Sequence, residues 1–118
     1  MPTVETQPHP DIFQTTWTRP LSSNELRSSF FAIAEHLDTA SGPVNILFDI
    51  TGAGNVPLNA PSLALQSGFL RHENLGRVAV VGMDRMAQTL ASLASNLAGK
   101  DILFFGNVAD AMAYLAQS

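Results

Sequence analysis

The chain has 118 residues, which is the length of one domain, and its ten acidic and six basic residues give a net charge of −4. This acidic balance argues against a nucleic-acid-binding role, which needs a basic patch. The absence of cysteine excludes disulfides and thiolate metal sites. No apolar run reaches the roughly 18 residues of a membrane span, and no secretory signal is recognisable. We therefore expect a soluble, cytoplasmic protein.

The first 18 residues predict one strand and leave two interpretations of the segment before it. Residues 1–10 contain three prolines, so they predict either a short edge strand over Thr3 to Gln7 or a disordered segment. Asp11 to Thr18 is rich in β-branched and aromatic residues, which favour a strand. Arg19 and Pro20 end it.

The first helix has a start signal, an apolar stripe and a stop signal. Ser22 and Glu25 have the spacing of a capping box. The helix is predicted from Ser23 to Thr39, with its stop at residues 41–43, which read Ser-Gly-Pro. Its apolar stripe recurs at intervals of four, three and four, and consists of Leu26, Phe30, Ile33 and Leu37.

A short apolar segment from Val44 to Ile50 organises the chain, because it has the composition of a strand buried on both faces. Asn45 is its one polar interruption before Asp49. Thr51, Gly52 and Gly54 follow, so the backbone turns tightly there. Since ligand and partner sites of open α/β sheets lie at the carboxyl ends of strands, this turn is the first candidate site.

The rest of the chain alternates helices and strands. A helix is predicted over residues 60–72 with Asn59 as its N-cap, and a buried strand over residues 77–82. Asp84 caps the next helix, which has Gly99 just beyond its end. Its apolar stripe, predicted to be buried, consists of Met86, Leu90, Leu93 and Leu97. A strand from Ile102 to Phe105 and a helix capped by Asn107 complete the chain, with Val108, Ala111, Met112 and Leu115 on one side of that helix.

This alternation predicts an α/β fold. We expect a single domain over residues 1–118 with a mostly parallel sheet of four to five strands, covered by about four helices. Right-handed crossovers should join the parallel strands.

Several short motifs resemble those of the SpoIIAA-like family, whose domains are related to the STAS domains of anti-sigma-factor antagonists. Residues 48–53, Phe-Asp-Ile-Thr-Gly-Ala, resemble the STAS segment D-L-S-G-V. Residues 77–82, Arg-Val-Ala-Val-Val-Gly, resemble a strand of the SpoIIAA-like family, and Phe105 with residues 109–115 resembles its closing helix. Residues 17–21 with Glu25 resemble its opening segment. Together these motifs cover residues 11–116.

The resemblance implies a STAS-like fold and a non-enzymatic domain that binds a partner protein, while some related folds hold a hydrophobic or nucleotide ligand. The antagonists carry a phosphorylatable serine at the start of the helix after the first site loop. Asn59 stands near that position here, and Ser62 falls inside the helix. The phosphorylation switch of those regulators is therefore not expected.

The sequence does not favour enzymatic chemistry. A Gly-x-Ser-x-Gly nucleophile motif is absent, and Pro57 stands where a dinucleotide loop that starts at Gly52 needs its third glycine. His9, His36 and His72 do not have zinc-site spacing, so solvated or capping histidines are expected. We predict no catalytic residue, no metal and no cofactor.

The candidate binding residues follow the strand ends and helix starts. They are Asp49, Thr51, Gly52, Gly54, Asn59, Gly82, Asp84 and Asn107. Asp84 and Asn107 are also explained as helix N-caps.

Two stretches without any charged residue, 50–70 and 86–99, contain the second and third helices. Their outward faces are predicted to carry Ser62, Gln66, Ser67, Gln88, Ser92, Ser95 and Asn96. They are either well-buried helices with small polar rims or a surface that packs against something, most simply a homodimer. The resemblance to the SpoIIAA-like family implies a non-enzymatic binding or regulatory domain that engages a partner protein. The alternative is a carrier of a small hydrophobic ligand or lipid, with peripheral membrane contact and an apolar pocket between helix and sheet.

Overall fold

The structure is a computed structural model that describes residues 4–8, 12–53, 56–57 and 59–116. Five strands lie side by side in chain order: β1 (Val4–Pro8), β2 (Ile12–Trp17), β3 (Val44–Asp49), β4 (Leu75–Val81) and β5 (Ile102–Phe105). β1 pairs with β2 in antiparallel fashion, and each later pair is parallel. The prediction of a mostly parallel α/β sheet is confirmed.

Four helices cover the two faces of this sheet: α1 (Ser23–Thr39), α2 (Ala60–Ser67), α3 (Arg85–Ala98) and α4 (Val108–Leu115). α1, α2 and α3 lie on one face and α4 lies on the other. Consecutive parallel strands joined by crossovers of one hand place the connecting helices on the same face. α4 follows the last strand and covers the opposite face.

Alternate residues of the central strands face the two layers, as the two-residue period of a strand requires. Phe48 and Val80 belong to the core beneath α1 and α2, while Leu47 and Val81 belong to the core beneath α4. The predicted burial of Phe48 and Val80 is confirmed. Phe48 lies at the centre of an aromatic cluster, with ring centroids 6.0–6.2 Å from those of Phe69, Phe30 and Trp17.

Asn45, the polar interruption of β3, links three elements through its amide. Its Nδ2 donates to the carbonyl of Leu115 at 2.8 Å, and its Oδ1 accepts from the backbone N–H of Arg77 at 2.7 Å. A Cβ at Gly76 would clash with this side chain. Asn45 therefore holds β4 and α4 in position and has a structural role.

The capping box of α1 forms as predicted. Ser22 Oγ accepts from the Glu25 N–H at 3.2 Å, and Glu25 Oε1 accepts from the Ser22 N–H at 3.1 Å. Arg19 Nη2 lies 2.6 Å from Glu25 Oε2. The hydrogen bond from Arg19, followed by that from the Ser22 backbone, lowers the pKa of Glu25 from 4.5 to about 2. All four residues of the predicted α1 stripe are buried.

α2 is shorter than the predicted helix over residues 60–72, because it ends at Gly68. Gly68 adopts φ 85°, in the left-handed region that glycine enters without steric cost. A 3-10 turn over residues 69–71 follows and buries Phe69 and Leu70. β4 then begins at Leu75, two residues before the predicted start at Arg77.

Most of the apolar stripe of α3 faces outward, although it was predicted to be buried. Met86, Leu93 and Leu97 are 67%, 57% and 71% exposed, and Leu90 is half-buried. The residues buried beneath the helix are the small ones, Ala91, Ala94 and Ser95. α3 contacts α2 and the short edge strand β5, and close approach between helices favours small side chains at the contact.

Ser95 is the second error on this helix. It was predicted on the outward face, yet it is only 2% exposed, and its Oγ donates to the Ser92 carbonyl at 2.9 Å. Gly99 ends the helix with φ 75°, as predicted. None of the helices in the described ranges is long and apolar enough to cross a bilayer.

Candidate functional site

An apolar cleft of about 70 Å³ lies between α2, α3 and the sheet. Phe48 and Val80 contribute to it from the central strands, and Trp17 contributes from the end of β2. The helices line it with small or aliphatic side chains: Ala60, Pro61 and Ala64 from α2, and Ala87, Leu90, Ala91 and Ala94 from α3. Among the described residues that line it, none is charged. The cleft is therefore suited to apolar groups.

The cleft reaches the edge of the sheet where the parallel strands end. Ile50, Val56 and Pro57, which follow β3, and Met83, which follows β4, contribute to its lining. Val56, Pro57 and Met83 are half-buried. The cleft thus adjoins the region where parallel α/β sheets place their sites.

The end of β3 and the loops after β3 and β4 bring four of the predicted site residues together. Asp49 Oδ1 accepts from the Thr51 N–H at 3.2 Å, which stabilises the turn. Gly82 has φ 86°, and a Cβ there would lie 2.7 Å from Thr51 Oγ1. A Cβ at Gly52 would lie 3.0 Å from the Trp17 carbonyl oxygen. The glycines therefore allow the loops and the end of β2 to approach closely.

The polar predicted residues at the helix starts have mainly structural contacts. Asp84 Oδ1 accepts from the Ala87 N–H at 2.8 Å, and Asn107 Oδ1 accepts from the Asp110 N–H at 2.8 Å, so both predicted N-caps are confirmed. Asn59 occupies the N-cap position of α2, but its side chain does not cap the helix. Its Nδ2 donates instead to Ser23 Oγ at 3.2 Å and links the starts of α1 and α2.

Three of the predicted residues adjoin the cleft, and none of the described ones lines it. Asp49, Asn59 and Gly82 each precede a residue that does line it, namely Ile50, Ala60 and Met83. Gly54 lies outside the described residues. The sequence predicted an apolar pocket between helix and sheet as the alternative, but its lining residues were not among the predicted site residues, which were polar residues and glycines at strand ends and helix starts. The apolar loop residues Val56, Pro57 and Met83 were the available signal.

Trp17 lines the cleft, and its side chain contains a polar atom that makes no hydrogen bond within the described part of the chain. Its side chain is 4% exposed, and its Nε1 is buried with no hydrogen-bond partner in the described part of the chain. Thr15 Oγ1 is likewise buried without a hydrogen-bond partner among the described residues. Thr15 and Trp17 are two residues apart in β2, so their side chains point to the same face of the sheet. Most buried polar groups are hydrogen-bonded, which makes this pair unusual.

The described histidines have local partners away from the cleft. The His36 ring packs on Phe13 with centroids 4.6 Å apart. His72 Nε2 lies 2.7 Å from Asp38 Oδ1, and its Nδ1 accepts from the Asn74 N–H at 3.0 Å. No group of three or more metal-ligating side chains occurs in the described ranges.

Comparison with known proteins identifies a family and a fold. A family model described as SpoIIAA-like matches residues 12–116. An uncharacterised protein with a SpoIIAA-like fold from Shewanella loihica has a crystal structure that matches with a TM-score of 0.68 at 19% identity, over 97% of this chain and 93% of that chain. This identity is low enough that the likeness concerns the fold alone. No curated protein matches the chain.

Proposed function

Because the chain belongs to the SpoIIAA-like family, we propose that it is a non-enzymatic regulatory domain that engages a partner protein through the outer face of α3. The observation that carries this proposal is the exposure of Met86, Leu93 and Leu97, which we call the α3 outer face. Five large hydrophobic residues are exposed in the described part of the chain, and three of them lie on this one helix.

The spacing of the α3 outer face gives these three side chains a common direction. Positions 86, 93 and 97 are seven and four residues apart, so they form one stripe along a helix. A contiguous exposed apolar surface is typical of an interaction site, whereas single exposed apolar residues are ordinary. Each such side chain contributes about 1.5–3 kcal/mol when it becomes fully buried. A partner that covers the stripe would therefore gain affinity mainly from this burial.

The charge pattern also supports an interface. Residues 86–99 carry no charged side chain, although outward-facing helix positions usually carry charges that keep a protein soluble. A partner that covers residues 86–99 would not have to desolvate an ion on them, which is the main electrostatic cost at an interface. Arg85, the first residue of α3, lies outside this stretch. The simplest partner is a second copy of the chain, since two-fold homodimers are the commonest assembly.

Sedimentation tests this proposal with matched variants. We expect the wild-type protein to dimerise at high concentration and Leu97→Glu to shift it towards monomer, because the new carboxylate would be buried in the interface. Phe31→Glu is the control, since Phe31 is an exposed large apolar residue on α1 instead. Ser95 is unsuitable for this test because it is buried. A wild-type monomer at high concentration, or equal effects of the two variants, would contradict a dimer on α3.

The residues Asp49, Thr51, Gly52, Asn59, Gly82, Asp84 and Asn107 form the second part of the proposed binding surface. Gly54, also predicted as a binding residue, lies outside the described residues. Thr51, Asn59 and Asp84 are exposed, so a partner could reach them directly. With Asn59 in place of a phosphorylatable serine, we expect no phosphate in this region. Intact-mass and peptide-fragmentation mass spectrometry of protein from its native host checks this, and stoichiometric phosphate on Thr51 or Ser62 would contradict it.

A second candidate function is the binding of a small apolar ligand, and the cleft between α2 and α3 favours it. Its volume of about 70 Å³ is well below the roughly 300 Å³ of typical ligand pockets. A whole lipid would therefore require α2 or α3 to move, whereas one end of a small molecule would not. This volume is the reason why we place the partner protein first.

A further inference from the structure

The edge of the sheet formed by β5 is open, and the hydrogen bonding to β4 shows which backbone groups face outward. β5 is the last strand of the sheet, so it pairs with β4 on one side only. The Phe105 carbonyl accepts from the Gly82 N–H at 3.3 Å, on the β4 side. Because backbone groups point to alternate sides along a strand, the N–H and C=O groups of Ile102 and Phe104 point away from β4. They have no strand partner in the described part of the chain.

The sequence of β5 contains no charge, proline or bulge, the features that commonly protect an exposed edge. Its four residues read Ile-Leu-Phe-Phe, and their register with β4 is regular. β1, the strand at the opposite edge, contains Glu5 and Pro8, and a proline has no N–H to donate. β5 is therefore the edge that is suited to pairing with a further strand.

We propose that β5 pairs with β5 of a second copy of the chain, antiparallel across a two-fold axis, so that the two sheets continue into one. A two-fold axis reverses the direction of the copied strand and brings the same surface of both copies together. Each open edge then supplies the partner that the other lacks. This surface is separate from the α3 outer face and goes beyond the proposed function.

The direction of the backbone groups determines the register of this pairing. Residues that exchange hydrogen bonds lie directly opposite each other in an antiparallel pair. Ile102 opposite Phe104 of the second copy lets every outward group of both strands form a hydrogen bond. Leu103 then lies opposite its own copy, in a position where the two Cα atoms are about 4.5 Å apart and the side chains are in contact. Leu103 is 43% exposed in the single chain, and this contact would bury it.

Like charges stay far apart in this register. Asp101 and its copy lie two residues from the axis on opposite sides, so about 13 Å of strand separates them. This distance exceeds the screening length of about 8 Å at physiological salt. Lys100 is held towards β4, because its Nζ donates to the Leu75 carbonyl at 2.9 Å. The paired strands themselves carry no charge.

The flank of α3 on this side is also uncharged. α2 connects β3 to β4 and α3 connects β4 to β5, so the flank of α3 that is turned away from α2 is nearest the open edge. Leu90 lines the cleft on the α2 side. At about 100° per residue, Gln88 and Ser92 lie almost opposite to it, and both are half-buried. Two copies of α3 can therefore approach each other without a charge between them, while the α3 outer face stays exposed.

Single cysteines test the register, because the chain contains no cysteine of its own. Under mild oxidation we expect Leu103→Cys to form a disulfide-linked dimer at least about tenfold faster than Phe31→Cys, since pairing raises the effective concentration of the two thiols and brings their Cα atoms within disulfide range. Phe31 is the control because it lies on α1 with a similar exposure of 47%. Equal rates for these two variants would overturn the proposal. A fast reaction of Leu97→Cys alone would also overturn it and would place the dimer on the α3 outer face.

An exchange of charges tests the two-fold axis. Leu103→Lys and Leu103→Glu would each place two like charges opposite one another, which destabilises a strand pair, and both lose the contact between the leucines. We expect each variant alone to dimerise at least about tenfold more weakly than the wild type in sedimentation, and an equal mixture of the two to recover the dimer. A wild-type monomer at high concentration, or a mixture no more dimeric than its components, would overturn the pairing.

Hydrogen exchange tests the backbone bonds themselves. The amides of Ile102 and Phe104 should exchange more slowly as the protein concentration rises, because pairing gives them an acceptor. Leu97→Glu should leave this slowing unchanged, since the α3 outer face is not part of the paired surface. Absence of the slowing in the wild type, or its loss in Leu97→Glu, would overturn the assignment of the interface to β5.

Discussion

α1 and α3 have the same kind of apolar pattern in their sequences, but the stripe of α1 is buried and most of the stripe of α3 is exposed. In α1 the apolar residues at helical spacing, Leu26, Phe30, Ile33 and Leu37, are all buried against the sheet. In α3 the corresponding stripe contains Met86, Leu93 and Leu97, which are exposed, while Ala91, Ala94 and Ser95 are buried. Helical periodicity therefore identifies a stripe without identifying what covers it.

The surroundings of the two helices explain the difference. α1 packs on the core formed by β2, β3 and β4 and on α2, where large side chains fill the space beneath a 17-residue helix. α3 lies beside α2 and over β5, an edge strand of four residues. Small residues allow close contact there, and the larger side chains point outward. A bound partner would bury the α3 outer face, as the sheet buries the apolar stripe of α1.

The largest expected difference between the two helices is in the effect of a Leu→Ala substitution on the free energy of unfolding. Leu37 is fully buried and Leu97 is 71% exposed. We expect Leu37→Ala to lower the free energy of unfolding by about 2–5 kcal/mol and Leu97→Ala to change it by less than about 0.5 kcal/mol. Urea denaturation at low protein concentration, where any dimer dissociates, measures both. A loss above 1 kcal/mol for Leu97→Ala would mean that α3 packs through its leucines within one chain.

Removal of the N-cap side chains compares how much each helix contributes to global stability. Ser22→Ala and Asp84→Ala each remove a side-chain acceptor for a helix N–H, at 3.2 Å in α1 and 2.8 Å in α3. Each change should cost about 1 kcal/mol. Because α3 fully buries only small residues, we expect Asp84→Ala to act mainly on local opening of α3. Hydrogen exchange would then increase along α3 alone, whereas Ser22→Ala would lower global stability in a melt. The same exchange pattern for both variants would contradict this distinction.

The smallest expected effect concerns pH and the start of α1. The pKa of Glu25 is about 2 in the folded protein against 4.5 in the unfolded chain. Its ionised form therefore stabilises the fold above pH 4.5, and this contribution is lost as the pH falls from about 4.5 towards 2. Glu25→Gln should make the melting temperature fall less steeply over that range. Glu35→Gln, at an exposed position of the same helix, is the control, and an equal change in both variants would show that Glu25 has no special role.

Local patterns in the sequence predicted much of the fold. The capping box of Ser22 and Glu25, the N-caps Asp84 and Asn107 and the C-terminal Gly99 depend on hydrogen bonds or backbone angles within a few residues. The burial of Phe48 and Val80 follows from short apolar strands that are covered on both faces. The alternation of strands and helices then implied the mostly parallel sheet, because parallel strands need a crossover.

The candidate site depended on tertiary structure. The helix predicted over residues 60–72 includes Gly68, whereas in the structure Gly68 ends α2 and the following Phe69 and Leu70 are buried. The direction of the α3 stripe depended on how closely α3 approaches α2 and β5, which no residue of α3 specifies by itself. The cleft is formed by side chains from β2, α2 and α3 that are far apart in the chain. Local hydrogen bonds and helical periodicity depend on short segments of sequence. An exposed apolar surface or a buried donor without a partner depends on how the whole chain packs.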